Sequence, residues 1–227
     1  MRMSELSERS GLPVASIKYY QREALVPFGE HTSANQSQYG EAHVDRLRLV
    51  RALIEVGGLT VASAKAVLAA IDNTEMPLDW AFGIAQRAAS KSVPVVDDAP
   101  GAEAVQRVSA LIDDRGLLVT DINPGRPIVA RVLESYEALG RSELIDTLPA
   151  YLDAAMIVAA ADLGAVGAAG ERAAGERAAM TETVVVGTVL GDALFAGLRR
   201  IAQEHLSHTY YPAPTEAYDI DCEDEEE

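Results

Sequence analysis

The tightest constraint on the fold is a three-residue break, Gly11-Leu12-Pro13, between two short apolar-patterned segments. Gly11 suits the left-handed end of a helix, and Pro13 suits the first turn of the next. Met3–Ser10, with Leu6 apolar and Ser4 a candidate N-cap, reads as one short helix. Val14–Leu25, with Val14 and Ile17 on one face, reads as the second. Two short helices joined by a glycine-containing turn make a helix-turn-helix candidate. Val26–Gln38 is polar and irregular and reads as a loop or small hairpin. Glu41–Val56 returns to helical spacing through Val44, Leu47, Val50, Leu53 and Ile54. Gly57-Gly58 ends it, and Thr60 is placed to cap a helix carrying Val61, Ala64, Val67, Leu68 and Ile71.

Within this frame lie more specific runs. Ser16-Ile17-Lys18-Tyr19-Tyr20-Gln21 is followed by Ala24-Leu25-Val26-Pro27, then Tyr39, then Val44-Asp45-Arg46-Leu47-Arg48-Leu49-Val50, then Gly57-Gly58-Leu59-Thr60. In order and spacing, residues 1–72 resemble the MerR family of bacterial transcription regulators. Members carry Ser/Thr-Ile-Arg-Tyr-Tyr-Glu and then Gly-Leu-Leu-Pro at these places. The resemblance implies a winged helix-turn-helix whose second helix enters the major groove of double-stranded promoter DNA. Carried over, Lys18 and Arg22 neutralise phosphate, Tyr19 donates to a phosphate oxygen, and Ala15 and Ser16 meet base edges. Tyr20 belongs to the same DNA-facing set or packs on the wing, and Tyr39 ends the wing. The chain departs from the family at two places. The wing stretch Gln36-Ser37-Gln38-Tyr39 lacks the usual arginine, and Ala15 stands where an arginine is common. Two basic contacts fewer per subunit imply weaker DNA binding than a typical relative has.

Charge fits this division of labour. The net charge is −16, yet residues 1–72 hold eight Lys/Arg and eight Asp/Glu, so the whole excess is distal and part of it sits in Asp219–Glu227. DNA is therefore met by the N-terminal part. The single cysteine, Cys222, allows neither an internal disulfide nor a cysteine-rich metal site, so no metal or other cofactor is expected. The longest uncharged apolar stretches, Ala154–Ala161 and Thr183–Gly191, fall short of the roughly 20 residues of a membrane span. Met1–Glu5 holds no apolar signal region. A soluble cytoplasmic protein with no membrane partner is expected.

The distal part reads as all helical. Leu78–Lys91 is short, and Pro94 and Pro100 bracket the loop after it, so the long coiled coil of typical family members is not expected. Further helices are read at Glu103–Asp114, at Pro127–Leu139, from a Ser142 cap to Thr147, and at Pro149–Leu163. Ala154–Ala161 is apolar all round and is expected at the centre of the bundle. Ala-Ala-Gly-Glu-Arg occurs at 168–172 and 173–177 and reads as a frayed helical excursion. Thr181–His208 is the longest helix, with Gly187 and Gly191 spaced to admit a neighbouring helix closely.

The expected fold is mainly α, with a winged helix-turn-helix at 1–75 and a linker with a short helix at 76–102. Beyond them are expected a helical ligand-sensing and dimerising domain at 103–212 and an acidic tail at 213–227. The helical domain's architecture resembles the corresponding domains of TetR-type regulators, which implies a homodimer through Pro149–Leu163 and Thr181–Leu206 and a pocket inside the bundle. Trp80, Tyr136, Tyr151, Asp162 and Asp192 are the pocket candidates. The three aromatics are core residues by default, and a buried carboxylate needs a basic partner. His205 and His208 lack further metal ligands and read as helix-end caps. No nucleophile–base pair or phosphate-binding glycine loop stands out, so an enzyme is not expected. The functional expectation is a homodimeric regulator controlled by a small organic ligand, acting on RNA polymerase indirectly through DNA. The alternative is a drug- or metabolite-sequestering protein with an incidental DNA-binding head.

Overall fold

A computed structural model describes residues 1–33, 36–91, 99–173 and 177–211. The acidic tail with Cys222, Pro94, the wing tip Ala34-Asn35 and part of the second Ala-Ala-Gly-Glu-Arg copy lie outside the described residues.

Helix α1 (Met3–Ser10) stops at Gly11, whose φ of 69° is the left-handed value expected of it. Ser4 is not its cap. Arg2 holds that position and makes no side-chain capping bond. Pro13 sits just before α2 (Val14–Arg22) as its N-cap. The end of α2 is not legible in the sequence. Ala24 takes φ 57°, and among the described residues no other non-glycine residue has positive φ. The Leu25 N–H donates to the Tyr20 carbonyl at 2.9 Å and the Ala24 N–H to Gln21 at 3.0 Å, closing a Schellman turn.

Strands β1 (Glu30–Ser33) and β2 (Gln36–Gln38) pair antiparallel, Glu30 opposite Gln38 and His31 opposite Ser37, and make the wing. Next, α3 (Glu41–Arg51) runs into a π-helical turn at Ala52–Val56. Thr60 caps α4 (Val61–Asp72) as expected, its Oγ1 accepting the Ser63 N–H at 3.1 Å. The remaining helices are α5 (Leu78–Ser90), α6 (Ala102–Asp114), α7 (Gly125–Ala138), α8 (Ser142–Ile145), α9 (Leu148–Arg172) and α10 (Arg177–Tyr210). Ser142 is the first helical residue of α8, and Arg141 takes the cap position without a side-chain bond. The described fold is mainly α with one small two-stranded sheet.

The main core unites the head with the last helix. Leu6, Ile17, Leu25, Val44, Leu47, Val50, Leu53 and Leu68 are buried in one cluster with Ala85 and Ala88 of α5 and Val185 and Val189 of α10. Gly57 makes the α10 contact fit. A Cβ there would overlap Val189 Cγ1 and stand 2.8 Å from the Leu53 carbonyl oxygen. A second, small core holds Ala104, Val108, Ala130 and Leu133 between α6 and α7.

Three distal expectations are corrected. The stretch Ala154–Ala161 is not central: Met156 is 51% exposed and Ile157 72%. The first Ala-Ala-Gly-Glu-Arg copy is not a frayed excursion but the last turns of α9, where Gly170 is buried against Met180. Gly187 and Gly191 do not serve close helix approach, since a Cβ at either would meet nothing within 4 Å.

Two substitutions test this packing by thermal unfolding. Gly57→Ala should cost about 1–3 kcal/mol through overpacking against Val189. Ala24→Gly should stabilise by about 1 kcal/mol, raising Tm by roughly 2–4 °C, because glycine bears no penalty in the left-handed region.

Candidate nucleic-acid interface

Helical periodicity divides α2 in two. Ile17, Tyr20 and Gln21 point inward and are buried. Ala15, Lys18, Tyr19 and Arg22 recur at three- and four-residue spacing on the opposite face and are exposed, with Ser16 at its half-buried border. The Arg22 guanidinium lies 5.9 Å from the centroid of the Tyr19 ring, so the two side chains are presented together.

Ion pairing shows which cations are available. Arg9 pairs with Glu41, Arg46 with Asp72, Arg48 with Asp45 and Arg51 with Glu55. Arg46 is a strut: its Nε donates to the Leu25 carbonyl at 2.9 Å, and its two terminal nitrogens reach Asp72 at 2.9 and 2.6 Å. Lys18 and Arg22 make no ion pair among the described residues.

Tyr20 and Tyr39 are placed differently from the other sequence candidates. Tyr20 is 8% exposed and turned into the head's core. Its phenol is raised above its ordinary value, first by burial, then by Glu55 and Tyr19, with Arg51 opposing. Tyr39 is 7% exposed, edge-on to His43 with ring centroids 5.2 Å apart. Its main chain exchanges two hydrogen bonds with Met1, at 2.8 and 2.9 Å, which ties the wing to the N-terminus. Both tyrosines therefore hold the reading helix and wing in place rather than facing outward. Two supporting residues escape the sequence reading. Gln21 Nε2 donates to the Pro27 carbonyl at 3.1 Å, bracing the turn after α2. Gly29 leaves room for the Tyr39 ring, 2.8 Å from where a Cβ would stand. The glycine itself is the available signal for a close approach.

The pocket candidates separate. Asp162 and Asp192, with Asp79, line a cleft of about 500 Å³ between α5, α9 and α10. Trp80 lines a second cleft of about 500 Å³ between α5 and the α6–α7 connector, sharing Asp79, Phe82 and Gln86 with the first. Tyr136 is on α7 and lines neither cleft. Tyr151 is also outside both; its hydroxyl oxygen accepts from Arg199 at 2.5 Å.

A helix-turn-helix with a two-stranded wing and an unpaired basic face on its second helix defines a DNA-binding transcriptional regulator. Residues 1–71 match the MerR HTH family regulatory protein model. Among curated proteins, the chain is 31% identical over 74 residues to the mercuric resistance operon regulatory protein of Bacillus cereus. It is 36% identical over 50 residues to the HTH-type transcriptional regulator ZntR homolog of Haemophilus influenzae. These matches cover 33% and 22% of this chain and only 55% and 37% of the relatives' own lengths. Nearly the whole chain resembles one solved structure, the transcriptional regulator SCO5550 from Streptomyces coelicolor A3(2). That likeness has a TM-score of 0.62 and 30% identity, over 94% of this chain and 99% of the other. Residues 1–71 thus form a MerR-family helix-turn-helix domain, and the chain as a whole is similar to a transcriptional regulator.

Lys18→Ala/Arg22→Ala should weaken binding to the protein's own upstream DNA and flatten its salt dependence by about 1 log–log unit for each phosphate that is no longer neutralised. Fluorescence anisotropy across a salt series measures both. An unchanged slope would remove these residues from the phosphate contacts.

Proposed function

We propose that this regulator works as a homodimer in the cytoplasm, and that a small organic ligand held among its distal helices controls its hold on promoter DNA. The observation that carries this reading is the double use of α10. Val185 and Val189 enter the head's core, while Gly187, Thr188, Gly191 and Asp192, interleaved with them in sequence, line the cleft shared with α5 and α9. A ligand in that cleft lies across one helix from the DNA-binding head. Any shift of α10 that it favours is passed to the surfaces of α4 and the π-helical turn, through which α10 meets the head. RNA polymerase then responds to a changed promoter geometry or occupancy, without touching the ligand site.

The dimer reading is supported by apolar surface. Met156, Ile157 and Leu163 of α9 and Leu194, Leu198 and Ile201 of α10 are exposed. The region Ser142–Arg172 is long and apolar enough, by length and composition, to cross a membrane: it holds an 18-residue stretch of mean hydropathy 1.6, of which 11% is buried. Asp153 and Asp162 interrupt it. A patch of this kind on a DNA-binding protein is what an interface between copies covers.

Sedimentation equilibrium tests the dimer. The intact protein should sediment as a dimer, and Leu198→Asp/Ile201→Asp as a monomer with unchanged helical circular dichroism. The monomer should also bind its DNA more weakly, since it engages one half-site. A monomeric wild-type protein with full affinity would contradict the reading. A ligand that binds without altering DNA affinity would favour sequestration instead.

A further inference from the structure

Charge is distributed along the chain in a way that packing does not require. Residues 212–227, outside the described residues, hold eight carboxylates and no Lys or Arg, half of the net charge of −16. Residues 73–211 carry the other half. A run of like charge is repelled by a body of its own sign and settles where opposite charge is unanswered. The distal helices are a body of the same sign. Their Arg107, Arg115, Arg126 and Arg141 already face Asp or Glu partners, and Arg199 reaches the Tyr151 hydroxyl.

The head offers a different surface. Residues 1–72 are neutral overall, yet Lys18 and Arg22 make no ion pair among the described residues. They stand one helical turn apart on the exposed face of α2, with the Tyr19 ring beside Arg22, and α2 itself holds no Asp or Glu. An extended run of carboxylates such as Glu223–Glu227 presents a charge about every 3.3–3.6 Å, and one DNA strand presents one about every 3.4 Å. A face that accepts the one polyanion accepts the other.

The segment is also long enough. Val189 lies in the head's core, in the cluster that holds Ile17 and Tyr20 of α2. From Val189 to Tyr210, the last residue of α10, is 21 residues, about 32 Å of helix. Residues 212–227 span at most about 55 Å. The acidic segment therefore reaches back along α10 with about 20 Å to spare, roughly two packed helix layers, enough to cross the core to the outer face of α2.

We propose that residues 212–227 dock on the Lys18–Arg22 face of α2 and compete there with DNA, so that the chain carries an inhibitor of its own DNA binding. The proposal rests on the reading of α2 as the DNA-contacting helix.

Cys222 is the only cysteine in the chain, so a nitroxide attached to it marks the acidic segment without any substitution. In the full chain, free of DNA and at low salt, the label should broaden the backbone amides of Lys18–Arg22 well beyond those of α6 and α7. High salt or added upstream DNA should remove the broadening. In parallel, Glu223→Gln/Asp224→Asn/Glu225→Gln/Glu226→Gln/Glu227→Gln should tighten DNA binding about three- to tenfold at low salt, the scale of two exposed ion pairs, and have little effect at high salt. In the Lys18→Ala/Arg22→Ala background the same neutralisation should change nothing further. Tightening that survives in that background is repulsion between the segment and DNA, without docking, and overturns the proposal. So does broadening that falls on α10 around Arg199 and Arg200 instead of α2, or on no helix at all. If α2 is broadened but Lys18→Ala/Arg22→Ala leaves DNA affinity and its salt slope unchanged, the contact stands, and both the competition and the reading of α2 fall.

Discussion

The contact of Val185 and Val189 with the floor of the DNA-binding head is the interaction on which the rest of the structure depends. Fully burying a valine contributes about 1.5–3 kcal/mol, so the pair contributes several kcal/mol, comparable with the net stability of a small domain. The head is therefore not an independent bead on a linker. Its core, from Leu6 to Leu68, is closed by a helix that begins at Arg177. Gly57 permits the approach, because any side chain there would collide with Val189.

That constraint explains how the rest is arranged. With one face of α10 committed to the head, its next face meets α5 and α9 and leaves the glycine-lined cleft between them. Beyond Leu194, Leu198 and Ile201 are exposed, while Arg199 still reaches the Tyr151 hydroxyl of α9. One helix thus carries, interleaved along its middle turns, the anchor to the head and a wall of the candidate cleft, and beyond them an exposed apolar surface. Helix α2, at the other end of the core, is held by Ile17, Tyr20 and Gln21, so Lys18 and Arg22 are presented from a rigid base.

Much of the head was legible because its signals are local. Gly11 and Pro13 punctuate the helices by their own backbone preferences, Thr60 caps by its own hydroxyl, and the exposure of Lys18 and Arg22 follows from helical period. What escaped depends on partners distant in sequence. The inward turn of Tyr20 and Tyr39 is decided by the core and by Met1, and Ala24 adopts a left-handed conformation that its residue type does not announce. The distal helices show the same limit more strongly. Ala154–Ala161 is apolar all round, and that pattern describes equally a buried helix and one covered by another chain. Thr183–Gly191 is similarly uniform, so nothing in its composition separates the valines that meet the head from the glycines that open a cleft. Asp162 and Asp192 were legible as a pair because charge inside apolar helices needs a reason, whereas Asp79 was not, lying in an ordinary first turn.

Native-state hydrogen exchange on the intact protein tests the shared core most directly, comparing wild type with Val189→Ala. If α10 closes the head's core, amides of α3 and α4 around Val50 and Val67 lose protection together with those of α10 around Val185, by a similar free energy. If the head keeps its full protection while α10 alone loosens, the two parts are separate cooperative units and the central claim is contradicted.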